Sequence, residues 1–242
     1  MTKLFDELWP GGPRYISGGG AFPLSTDSVL LADFAANVRA GKLIDLGCGG
    51  GILTVLLQRS HPGAAVCGIE LQADAAAQCR ENLELNGMDS GGILFGDLRC
   101  ARTLYAAGSF DLAVSNPHYF PTGSGCTSPD AARAAARDER TCTLRELCEA
   151  AALLVRWGGA FCVVHRPERL SELCCTLTDC ALELKRLRMV QHRPDSAPNL
   201  VLLEARRGGK PGLSILPPLI LTEPDGSDSA EIRRIYHRET RT

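Results

Sequence analysis

The run KLIDLGCGGGILTVLLQRS at residues 42–60 restricts the fold more than any other part of the chain. It starts as a short apolar strand, passes four glycines within five positions, and continues as a helix. Glycines at a strand-to-helix turn let the backbone reverse sharply and let a ligand approach the main chain closely. AAVCGIE at 64–70, the segment near 92–95 and FDLAVS at 110–115 repeat the strand signal. Short apolar strands alternating with helices predict a mostly parallel sheet covered on both faces.

The rest of the pattern extends this reading. Residues 1–24 are rich in Gly, Pro and aromatics and read as irregular or short-stranded. Ser25, Thr26 and Asp27 supply cap-type side chains before the helical run VLLADFAANV. A helix is expected over 74–85, with Ala75, Ala76, Cys79 and Leu83 on one face, ending at Asn86-Gly87. Another is expected over roughly 139–157, stopped by Gly158-Gly159, then a strand at 160–165 and a helix near 167–178. Strands near 181–190 and 199–205 are separated only by a loop, so they are expected to be antiparallel neighbours. Residues 206–228 read as loop and AEIRRIYHRET as a terminal helix.

The expectation is therefore an α/β, Rossmann-like fold: a seven-stranded, mostly parallel sheet with an antiparallel final strand and helices on both faces. Residues 1–40 form an N-terminal segment and helix covering the ligand site, 41–206 the core, and 207–242 a C-terminal extension packed on it.

Composition removes several function classes. No apolar run approaches the eighteen residues of a membrane span, and MTKLFDELWP contains acids where a cleavable leader would be apolar. A cytoplasmic protein is expected. The eleven cysteines are odd in number, lie mostly in apolar runs, and include no Cys-x-x-Cys. They read as reduced, small apolar residues, with no metal constellation. The net charge of −2 makes no global case for a polyanionic partner. Locally, ten Lys or Arg against six acids between Arg156 and Lys210, and Arg233, Arg234, Arg238 and Arg241 near the end, suit either a phosphate backbone or a solvated face.

Ligands of such sheets bind beyond the C-terminal strand ends, near the change in strand order. The turn Asp45-Leu46-Gly47-Cys48-Gly49-Gly50-Gly51 stands there. The dinucleotide pattern G-x-G-x-x-G would need glycine at 52, where the chain has Ile52. That disfavours a nicotinamide oxidoreductase and favours a nucleoside ligand without a pyrophosphate. Glu70, at the end of the second strand of this run, is placed to accept from ribose hydroxyls. Asp97, after the next strand in FGDLR, is placed to receive an adenine amine.

The fourth strand leaves through Ser115-Asn116-Pro117-His118-Tyr119-Phe120. An amide and two large rings in one turn have little packing purpose. Asn116 is alternatively a turn-forming residue and Tyr119 a core-packing one, so whether the run is a turn or a tool depends on what else the chain supplies.

DLGCGGG, the strand ending at Glu70, GDL at 96–98 and FDLAVSNPHYF together resemble the class I S-adenosylmethionine-dependent methyltransferases. SNPHYF is similar to the NPPY motif of the amino-methylating branch. LSTDSVLLADFA and the late segment LPPLILTEPDGSDSAEIRRIYHR resemble, more narrowly, the bacterial tRNA1(Val) adenine-37 N6-methyltransferase family.

The resemblance implies that Asp45, Gly47 and Gly49 line the methionine end of S-adenosylmethionine, Glu70 takes its ribose, and Asp97 with Leu98 its adenine. It places Ser25, Thr26 and Asp27 at the cofactor carboxylate or the site rim, where each is alternatively a helix cap. Asn116 lies between cofactor and target, and Pro117, Tyr119 and Phe120 complete the catalytic set. The implied partner is tRNA or another structured RNA, with neither membrane nor DNA.

Two positions depart from the family pattern. His118 replaces a proline, and Asp138 replaces a histidine in Ala136-Arg137-Asp138-Glu139. Arg133, Arg137 and Arg140 stand beside the second, as phosphate contacts or as partners of Asp138 and Glu139. The alternative readings are another acceptor, such as a protein glutamine, or a noncatalytic RNA-binding relative.

Overall fold

A computed structural model describes residues 5–16, 25–117 and 142–238. The chain opens with a small antiparallel hairpin, β1 (Asp6–Glu7) and β2 (Arg14–Tyr15), followed by α1 (Thr26–Ala35). The core then runs β3 (Lys42–Leu46), α2 (Ile52–Ser60), β4 (Ala65–Glu70), α3 (Ala73–Leu85), β5 (Ile93–Phe95), α4 (Ala101–Leu104) and β6 (Phe110–Ser115). After it come α5 (Leu144–Leu154), β7 (Val155–His165), α6 (Leu170–Asp179), β8 (Leu182–Gln191), β9 (Pro198–Arg207), β10 (Ser214–Ile220) and α7 (Ala230–Ile235).

The main sheet has eight strands in the order β10-β8-β9-β7-β6-β3-β4-β5. Only β9 runs against its neighbours, β7 and β8; every other pair is parallel. The strand order reverses between β3 and β6, so a crevice opens at their C-terminal ends. α1, α2 and α3 cover one face and α4, α5 and α6 the other, each over its own apolar cluster.

Local chemistry explains why these elements form. α1 starts at Ser25, whose Oγ accepts from the Ser28 N–H. α5 starts with a reciprocal capping box between Thr143 and Glu146. Its Leu147, Cys148, Ala151 and Leu154 are buried against the sheet. α3 buries the expected stripe of Ala75, Ala76, Cys79 and Leu83.

Two expectations fail. The sheet has eight strands, because 206–228 is not all loop: β10 pairs in parallel with β8 on the sheet edge. Pro217 and Pro218 hid it, since proline lacks a ladder donor and argues against a strand. The structure accommodates them where the register shifts between Leu216 and Leu219. The outermost strand of that half is thus parallel, and the antiparallel β9 sits inside the sheet.

The second failure concerns the glycine pair. α5 ends at Leu154, and β7 begins at Val155 without a loop. Gly158-Gly159 lies instead where β7 bulges against β6, between the Phe110–Val155 and Leu112–Ala160 pairs. A Cβ on Gly159 would stand 2.8 Å from the Arg156 carbonyl oxygen, so the bulge requires glycine. The expected helix start at 139–141 lies outside the described residues.

Candidate active site

The turn after β3 is pinned to the end of β4. The Gly47 and Cys48 N–H groups donate to the Ile69 carbonyl oxygen at 2.9 and 3.1 Å. Gly47 and Gly49 have φ of 78° and 53°, and an added Cβ on either would meet nothing within 4 Å. These two glycines therefore face open space, and their backbone conformation excludes most side chains. Gly51 packs the other way: a Cβ there would lie 2.6 Å from Cys79 Sγ.

Two carboxylates stand beneath and beside this turn. Glu70 is buried, and its Oε2 accepts from the Gly49 N–H and its Oε1 from the Gln72 N–H, each at 2.8 Å. It braces the loop while retaining lone pairs for further donors. Asp45 is also buried; its Oδ2 accepts from Thr54 Oγ1 at 2.7 Å. Its Oδ1 is buried and has no hydrogen-bond partner. Burial pushes the Asp45 carboxyl up to about 7, against the Thr54 hydrogen bond and with help from the charge of Glu70. A buried oxygen without a partner needs a donor, and the cationic amine of an amino acid provides one.

Asn116 follows β6, next to this turn across the strand switch. Its Nδ2 donates to Ser28 Oγ at 2.9 Å and to Ser25 Oγ at 3.3 Å. Ser115 Oγ donates to the Leu46 carbonyl oxygen at 2.7 Å, locking the ends of β6 and β3 together. Pro117 is half-buried and closes this described segment.

The structure thus brings together Asp45, Gly47, Gly49, Glu70, Asn116 and Ser25. Thr26 and Asp27 lie in the first turn of α1. Burial raises the Asp27 carboxyl, opposed by the nearby Arg166. Asp97 caps a short 3-10 turn over Leu98–Cys100, and its carboxylate is gripped by the Arg99 guanidinium, with Nε at 2.9 and 3.0 Å from its two oxygens. Those bonds hold Asp97 below the usual carboxylate range. Leu98 is half-buried against the α5 face. Tyr119 and Phe120 lie outside the described residues, as do His118, Arg133, Arg137, Asp138 and Arg140.

Sequence reasoning missed three positioning residues. Ser28 looked like an ordinary helical residue. Thr54 was hidden in an apolar helix. Asn82, buried in α3, donates through Nδ2 to the Gly50 carbonyl oxygen at 2.8 Å, while its Oδ1 accepts from the Ile16 N–H at 2.8 Å. An asparagine inside a helix competes with helical bonding, and that was the available signal. Among the described residues, no group of His, Cys, Asp and Glu is arranged to hold a metal ion, and no helix is long and apolar enough to cross a membrane.

The family described as the methyltransferase small domain matches residues 25–172. A tRNA1(Val) (adenine(37)-N6)-methyltransferase of Tolumonas auensis is 33% identical over 213 residues, 87% of this chain and 86% of that protein. One of Porphyromonas gingivalis is 34% identical over 199 residues, 78% and 76% of the two chains. A crystal structure of a predicted O-methyltransferase from Agrobacterium tumefaciens superimposes with a TM-score of 0.71 at 21% identity, covering 88% of this chain and 96% of that one. A Thermus thermophilus 16S rRNA N2 G1207 methyltransferase in complex with AdoMet and guanosine gives 0.56 at 21% identity, over 84% and 50%. Both likenesses concern the fold.

Proposed function

The chain belongs to the tRNA1(Val) (adenine(37)-N6)-methyltransferase family, and from that premise we propose that Asn116 and Pro117 present a target adenine for methyl transfer. It is an S-adenosylmethionine-dependent methyltransferase that modifies the N6 amine of adenine in tRNA. The finer reading is adenine 37 of a valine tRNA, the acceptor in its relatives' names, with the reaction taking place in the cytoplasm. Residues 41–206 would serve as the catalytic core, with 1–40 covering the cofactor site and 207–242 packed on the core, adding β10 to the edge of its sheet.

Bound S-adenosylmethionine supplies an activated methyl group. Asp45 Oδ1 and the open turn at Gly47 and Gly49 would hold its amino-acid end, and the remaining lone pairs of Glu70 would take the ribose hydroxyls. Asp97 and Leu98 would border the adenine, while Ser25, Thr26 and Asp27 form the rim.

The N6 lone pair of adenine is delocalised into the ring, so the amine is a weak nucleophile. The Asn116 side-chain oxygen and Pro117 carbonyl oxygen would accept its two hydrogens, favouring a pyramidal nitrogen with its lone pair aimed at the methyl group. The same oxygens stabilise positive charge as it develops on nitrogen. No strong base is needed first, because the methylated ammonium product loses its proton readily to water. Tyr119 and Phe120 would receive the base once it leaves its neighbours, which costs least in a loop.

One observation supports this assignment above the others: the Ser25 and Ser28 hydroxyls of α1 hold the Asn116 amide nitrogen beside the switch point. The test is nucleoside analysis of tRNA after reaction. The parent enzyme should produce N6-methyladenosine and Asn116→Ala should not. Methyl groups found at another atom, or only in protein, would overturn the reading.

A further inference from the structure

The rim continues beyond the cofactor crevice, over the C-terminal ends of β7 and β8. Here the charge changes sign. Asp45 and Glu70 stand at the C-terminal ends of β3 and β4 and Asp97 follows β5, whereas Arg166 follows β7 and His192-Arg193 follow β8. Arg166 and Arg193 are both exposed.

The arginines nearby that serve the fold are neutralised. Arg169 pairs with Glu172, Arg188 with Glu231, Arg234 with Asp33, and Arg238 with Asp228. Arg166 and Arg193 have no carboxylate at ion-pair distance among the described residues. Asp27 feels the field of Arg166 without pairing to it, and Asp195 shares a turn with Arg193 without pairing either.

Both side chains spring from braced backbone. Arg166 Nη1 donates to the Asn199 carbonyl oxygen at 3.0 Å, which draws its guanidinium across to the start of β9. That is the base of the β8–β9 hairpin whose loop carries Arg193. The loop is stapled by Ser196: its Oγ accepts from the Arg193 N–H and donates to the Arg193 carbonyl oxygen, each at 2.9 Å. Gln191 Nε2 donates to the Ser196 carbonyl oxygen at 2.7 Å. An exposed loop with this many internal bonds holds Arg193 in a fixed place.

We propose that Arg166 and Arg193 form a two-point clamp on the phosphodiester backbone of the RNA beside the target adenine. Ser115 pairs with Val163, so the Asn116-Pro117 exit of β6 lies alongside the end of β7 that leads to Arg166. A strand whose adenine enters at Asn116 would therefore run over this rim. A guanidinium with donors to spare matches phosphate geometry. The inference rests on the tRNA reading above and specifies how that substrate is held.

The test measures equilibrium binding of fluorescently labelled tRNA across a potassium chloride series. Parent, Arg166→Gln, Arg193→Gln and the double variant are compared. Each lost phosphate contact should lower the slope of log affinity against log salt by about 0.7–0.9 and weaken binding about 5-fold at 0.1 M salt. The double variant should lose about 30-fold. The KM for tRNA should rise in parallel, while kcat and cofactor affinity stay within about twofold; Arg166→Lys and Arg193→Lys should recover most of the slope. A double variant with the parent's slope, or a parent that does not bind tRNA, would overturn the clamp. Failure of the activity reading shows separately, as a parent that binds tRNA yet transfers no methyl group to it.

Discussion

Replacing Asp45 by asparagine should stabilise the protein at alkaline pH while weakening its hold on S-adenosylmethionine. The carboxyl is fully buried, with Thr54 on one oxygen and nothing on the other. Burial is the main cause of its rise to about 7, whereas an unfolded aspartate titrates near 3.9. Between about pH 4 and 7 the folded chain keeps a proton that the unfolded chain has released. The native state then binds more protons, so stability falls as pH rises through this window and the loss is complete above it. A shift of about 3 pKa units corresponds to about 4 kcal/mol. Asparagine keeps an acceptor for Thr54 and carries no charge, but it leaves a buried amide N–H2 unbonded at a cost of roughly 2 kcal/mol. The net gain at pH 8 is about 2 kcal/mol, or about 4–8 °C in Tm for a chain of this size. At pH 4 the advantage should disappear. Calorimetric titration should show parent cofactor affinity tightening as pH rises through about 7, and at least about tenfold weaker, pH-insensitive binding by the variant. A Tm difference that does not vary with pH would refute the reasoning about the buried charge.

Removing the hydroxyl of Ser28 by Ser28→Ala takes away the shorter of the two bonds that Asn116 Nδ2 donates to α1 hydroxyls. Turnover should fall about fivefold, as expected for about 1 kcal/mol of lost orientation, with cofactor affinity unchanged in a titration. Glu70→Gln puts an N–H2 where one of the two backbone donors, Gly49 or Gln72, now finds an acceptor. Its Tm should drop by the equivalent of about 1–3 kcal/mol, and the cofactor Kd should rise by at least about tenfold.

What could be read from the sequence followed from how local each signal is. β3, β4, β6 and α3 were legible because a short apolar run between glycines, or a stripe at helical spacing, needs no knowledge of distant partners. Asp45, Gly47, Gly49 and Glu70 share a crevice for the same reason: strand ends in a parallel sheet meet at one edge. β10 was not legible, because Pro217-Pro218 contradicts strand pairing unless the edge and the register shift are known. Gly158-Gly159 looked like a helix stop, since a bulge is defined by the opposing strand. Ser28 was invisible as a positioning residue because its partner, Asn116, is 88 residues away. Nor could sequence alone show that Asp97 is already gripped by Arg99.

Single-turnover transfer from labelled S-adenosylmethionine to tRNA, with parent and Asn116→Ala compared at saturating cofactor and RNA, tests the shared-acceptor geometry most directly. Fixed dipoles aimed at developing charge predict a rate lower by about 10²–10³, with cofactor affinity within about threefold of the parent. A variant that transfers the methyl group as fast as the parent would contradict the role given to that amide oxygen.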